Sequence, residues 1–116
     1  MSSKKEVESK SPQQIKMLLW SVFAGSKGCI NRVKIVLKIK QTPLNTNQLS
    51  QVLGLDYKVV EHHMKTLEKN NLVTKIGTKY GATYFLSPLL ESNLNLFEQV
   101  ADQSKNCKEN LQIKSS

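Results

Sequence analysis

Gly54 constrains this chain more than any other residue, because it separates two short amphipathic segments that each begin on their own capping residue. Ahead of it, Asn45 stands three residues before Gln48, the pair that can close a capping box, and Leu49, Val52 and Leu53 supply an apolar face. A glycine directly after the last apolar residue suits the left-handed conformation that ends a helix. Beyond it, Asp56 can cap a second helix over 57–70, with Val60, Met64 and Leu67 at i, i+4 and i+7. Two short helices joined by a tight turn with Gly have the helix-turn-helix layout. At 116 residues, the chain built around them has room for one compact domain.

The flanks extend this unit on both sides. Ser11, Pro12 and Gln14 open a helix over 11–24, in which Ile15, Leu18, Leu19, Val22 and Phe23 form one stripe and Met17 and Trp20 lie off it. Apolar surface off the stripe points to a second surface to bury against, in a partner chain. From Cys29 to about Lys40 the length and the 30-33-37 and 36-39 spacings favour a helix, while many β-branched residues leave a strand open. Residues 72–76 and 82–86 are rich in β-branched and aromatic residues and flank a glycine-bounded loop, so they read as a hairpin. Ser87 and Pro88 open a last helix over 88–101, with Leu89, Leu90, Leu94, Phe97 and Val100 on one face. The expected architecture is mostly α with a small β-hairpin over 11–102, between a disordered N-terminus at 1–10 and a polar tail at 103–116.

Charge narrows the function. The net charge is +8, and residues 28–86 hold nine Lys and Arg against three acidic residues. An excess in the middle of the chain favours a polyanionic partner, whereas a membrane tether more often has its cations clustered at one end. No apolar run is long enough to span a bilayer and the N-terminus lacks a signal peptide, so the expected location is the cytoplasm. Cys29 and Cys107 are too far apart in sequence for a zinc-ligand spacing and read as two reduced thiols. His62 and His63, being adjacent, diverge by about 100° on a helix and cannot chelate one ion, so no metal is expected. His63 reads instead as a half-buried packing residue. No phosphate-binding glycine loop and no nucleophile–base set is present, so the chain reads as no enzyme and as having no cofactor.

The run from Asn45 to Leu86 joins a leucine-bearing helix, Gly54-Leu55, a capped helix ending Leu67-Glu68-Lys69-Asn70-Asn71-Leu72-Val73, and a hairpin with a basic tip. It resembles the winged helix core of the arsenical-resistance-repressor (ArsR-like) and multiple-antibiotic-resistance-regulator (MarR-like) families, with the likeness closest to archaeal members. Asn71 stands where the family usually has Gly, and Asn tolerates the left-handed conformation needed there. Tyr57 to Leu67 contains no cysteine, so the resemblance does not extend to metal sensing.

The resemblance implies a winged helix-turn-helix that binds double-stranded DNA as a sequence-specific transcription regulator, a dimeric repressor. With Val60, Met64 and Leu67 inward, Tyr57, Lys58, Glu61, His62 and Lys65 face outward from helix 57–70, which would enter the major groove. By family position Lys58, Glu61 and His62 would meet base edges, with Tyr57 and Lys65 nearer the phosphates. Lys75, Lys79 and Tyr80 belong to the wing, 75–82, which would meet the backbone or minor groove. Arg32 and Lys34 could also meet phosphates. The helices 11–24 and 88–101 would pack against their counterparts in a homodimer. Two other functions fit the same fold. One is a protein-interaction winged helix of a transcription or chromatin assembly, with a more apolar recognition face and a less basic wing. The other is an architectural DNA binder of low sequence preference.

Overall fold

The computed structural model describes residues 10–25, 28–77 and 81–103. In chain order the elements are helices α1 (Pro12–Phe23), α2 (Cys29–Gln41), α3 (Thr46–Leu53) and α4 (Tyr57–Lys69), strands β1 (Val73–Ile76) and β2 (Thr83–Leu86), and a short helix α5 (Pro88–Glu91). A last helix, α6, covers 94–103. This is the mostly helical, hairpin-bearing winged helix-turn-helix that the sequence led us to expect. The chain divides into two compact units, one formed by Met1–Ile30 with Asn93–Ser116 and the other by Asn31–Ser92.

Local chemistry sets the boundaries within the second unit. Asn45 and Gln48 close a reciprocal capping box at the start of α3, with hydrogen bonds of 2.7 and 2.9 Å. Gly54 takes φ 67° after α3, and the Leu55 amide reaches back to the Ser50 carbonyl at 3.1 Å, closing a Schellman turn. Asp56 then caps α4 by accepting from the Lys58 amide. At the far end of α4 the same device recurs on an asparagine. Asn71 takes φ 59°, and the Leu72 amide bonds the Leu67 carbonyl at 2.9 Å.

The hairpin pairs Val73 with Leu86, Thr74 with Phe85, Lys75 with Tyr84 and Ile76 with Thr83. Leu44 adds a single antiparallel bridge to Tyr84, whose amide bonds its carbonyl at 2.9 Å. Ser87 ties the base of the hairpin: its hydroxyl donates to the Asn71 carbonyl at 2.7 Å and accepts from the Leu90 amide at the start of α5. Ile35, Val36 and Ile39 of α2, Leu49 of α3, and Val60, Met64 and Leu67 of α4 are buried, as are Leu72, Val73 and Leu90. Each such side chain contributes roughly 1.5–3 kcal/mol relative to exposure.

In the first unit α1 opens on the expected capping box of Ser11 and Gln14 and buries Ile15, Leu19, Val22 and Phe23. Phe23 packs edge-to-face on Phe97 of α6, with ring centroids 4.9 Å apart, and Val100 is also buried.

Three expectations are corrected. The segment from Cys29 is a helix, but its buried face is Arg32, Ile35, Val36 and Ile39, not the 30-33-37 row, and Leu37 is exposed. A stretch apolar at so many positions does not fix its own rotation; packing does. Val52, placed on the inner face of α3, is exposed, leaving Leu49 as the buried anchor of that helix. The last helix is not continuous over 88–101: α5 ends at Glu91, Ser92 is its C-cap, and α6 starts afresh at 94. Ser92 and Asn93 are residues whose side chains compete for backbone groups, and the break falls on them.

Candidate nucleic-acid interface

Helix α4 turns three different sides to its surroundings. Val60, His63, Met64 and Leu67 are buried. Opposite them Lys58, His62, Lys65 and Lys69 are exposed, spaced so that they fall on one line along the helix. This outermost line carries only basic or imidazole side chains. On the flank that faces the hairpin lie Tyr57, Glu61 and Glu68.

That flank borders a groove of about 320 Å³ shared with the start of α3 and with the inner face of the hairpin, to which Lys75 and Tyr84 belong. Tyr84 is buried, and with Thr46 it lines this groove. Burial raises its pKa above the ordinary 10.0, and the nearby Glu68 carboxylate adds to the rise.

The structure thus sorts the expected site residues. Lys58, His62 and Lys65 share the outward line; Tyr57 and Glu61 line the groove, which Lys65 also borders, with Glu61 half-buried. Lys75 is exposed, but it pairs with Tyr84 in the sheet and lines that same groove, not a separate outer edge. Lys79 and Tyr80 at the wing tip lie outside the described residues, as do Cys107, residues 1–9 and the tail beyond 103. Sequence reasoning missed Lys69, although its spacing of eleven from Lys58 puts it on the same line. Arg32 is a further correction: it faces the interior of its unit and donates from Nη1 to His63 Nδ1 at 3.2 Å. His63, expected to be half-buried, is buried outright.

Among the described residues no group of His, Cys, Asp and Glu could hold a metal ion, and no helix is long and apolar enough to cross a membrane.

Fold and face together define a winged helix-turn-helix of the kind found in transcription regulators. Residues 30–75 match the family model described as bacterial regulatory protein, arsR family. Over those residues the chain is similar to an arsR-type helix-turn-helix domain. Among solved structures it is similar to a probable transcriptional regulator from Pseudomonas aeruginosa, at 15% identity and TM-score 0.53, over 89% of this chain and 85% of that one. It is also similar to the transcriptional regulator Tm0710 from Thermotoga maritima, at 20% identity and TM-score 0.49, over 73% of this chain. The matched part spans 61% of the Thermotoga protein. No curated protein sequence matches the chain.

Proposed function

We propose that the chain is a sequence-specific DNA-binding transcription regulator, a homodimeric repressor that acts by occupying its operator. The observation that carries this reading is the exposed line Lys58, His62, Lys65 and Lys69 on the second helix of a helix-turn-helix. A major groove admits an α-helix, and cations along its outward face gain from the phosphates on both sides. In this reading α4 enters the major groove, where Lys58 and His62 reach base edges and Glu61 accepts from a cytosine amino group. Tyr57, Lys65 and Lys69 stand nearer the backbone, and the wing at 75–82 follows the backbone or minor groove. Segments 11–24 and 88–101 supply the dimer contacts, now in three helices instead of two.

The test is binding to duplex DNA across salt, followed by selection from a random pool. If a dimer neutralises about 6–10 phosphates, affinity falls roughly 10³–10⁵-fold between about 50 and 200 mM salt. Absence of association with any duplex at the low end overturns the reading in favour of a protein-interaction module. Tight binding with no sequence emerging from the pool would make it an architectural protein.

A further inference from the structure

Within the unit Asn31–Ser92, two polar side chains meet where the packed faces of α2 and α4 carry otherwise apolar residues. Arg32 is 5% exposed and His63 6%, and the guanidinium Nη1 stands 3.2 Å from His63 Nδ1. The direction of this bond is fixed by chemistry. A guanidinium has only donors, so Nδ1 must be the acceptor, and the imidazole is neutral with its proton on Nε2. Arg32 keeps other interactions besides this one. A protonated His63 would turn an N–H towards an N–H and set two positive charges against each other in a buried site. His63 is also next to His62, which lies on the exposed line of α4.

We propose that Arg32 and His63 are positioning residues for the DNA-facing surface: their contact seats α4 on α2 only while His63 is neutral, so protonation of His63 loosens the helix and weakens the grip on DNA. The DNA part of this inference rests on the function proposed above; the seating of α4 does not. The charged and titratable groups that act on His63 are Arg32 from α2 and His62 from its own helix. Burial first, then these two, hold its pKa below the ordinary 6.5. The sign follows. An unfolded chain takes up the proton first as pH falls, so stability present above 6.5 is lost as pH drops towards the folded value.

Three measurements on the full chain separate the outcomes. Imidazole proton resonances followed against pH should show His63 titrating below the ordinary 6.5, and Arg32→Gln, which keeps a donor but removes the charge, should move His63 upward. His63→Asn places an amide oxygen where Nδ1 stood and cannot be protonated. Its urea-unfolding midpoint should therefore lose the acid-side fall that the native chain shows between about pH 7 and pH 5. With DNA, the native chain should lose affinity on acidification relative to His63→Asn, by up to about tenfold per pH unit for each proton taken up. Comparing the two proteins at each pH isolates His63 from every other titrating group. A His63 that titrates at or above the ordinary value, or identical pH profiles for the native and His63→Asn proteins, overturns the proposal. The resonance titration needs no variant to fold. If neither protein binds DNA at any pH, the function reading fails and the DNA half of the proposal with it, while titration and unfolding still decide whether the contact seats α4.

Discussion

At the scale of single residues, the positions that matter most are those where chemistry leaves one workable choice. Asn71 holds φ 59°, a conformation that costs most side chains about 1–2 kcal/mol and asparagine less. Asn71→Gly should therefore be neutral or stabilising by up to about 1 kcal/mol, and Asn71→Val should cost about 1–2 kcal/mol, both read from urea unfolding. Tyr84 is a second case. Its pKa is raised by burial and then by Glu68, so the folded chain holds the phenolic proton more tightly than the unfolded one. That contribution is complete below the ordinary value of 10.0 and is lost as pH rises through the higher folded value. Tyr84→Phe keeps the ring in the core and removes only the phenolic hydroxyl, so it should change stability by no more than about 1 kcal/mol near neutral pH. It should also abolish this residue's share of the alkaline fall in stability. Unfolding midpoints of both proteins from about pH 8 to pH 11 check the pair of effects.

At the scale of elements, α4 separates a basic line from an acidic flank, and the two sides should fail differently. His62→Ala removes a base-edge candidate, which typically costs about 1–3 kcal/mol at one base pair, so the ranking of sequences in a random-pool selection should change. Lys69→Ala removes a backbone cation; affinity should fall evenly across sequences and the salt slope should flatten by about one per subunit. Glu61→Gln removes a charge repelled by phosphate, so nonspecific binding should strengthen while preference blurs. Unchanged ranking in both His62→Ala and Glu61→Gln would remove base reading from α4.

How much of this was legible follows from how local each signal is. The caps at Ser11, Asn45 and Asp56 and the left-handed positions at 54 and 71 depend on a few neighbouring residues, and the sequence shows them directly. The rotation of α2 is not local: Ile30, Val33 and Leu37 are as apolar as Ile35, Val36 and Ile39, and only tertiary packing could choose between them. That choice also put Arg32 inside. The bridge from Leu44 to Tyr84 is one residue long and leaves no periodic trace. Lys75 was legible as a wing residue but not as a groove residue, because the side of the hairpin it occupies depends on where Tyr84 is buried.

At the scale of the whole molecule, the question is what covers the outer side of α1. Met17 is 66% exposed and Trp20 41%, and together with Gln13 and Lys16 they border a mostly apolar groove. Neither belongs to the stripe of Ile15, Leu19, Val22 and Phe23 that fills the interior of this unit. Tryptophan and methionine are enriched in protein interfaces, and buried tryptophans dominate binding energy there. Under the function proposed above, a second copy of the chain would cover this face, since a two-fold dimer offers two α4 helices to a palindromic operator with half-sites about one helical turn apart. The intact chain is therefore expected to sediment as a dimer at micromolar concentration, and Met17→Glu with Trp20→Glu as a folded monomer. The double variant should lose affinity for an operator with two half-sites far more than for an isolated half-site, because only the former uses both recognition helices at once. If the intact chain sediments as a monomer, or if the double variant remains dimeric, this face is not where the two copies meet.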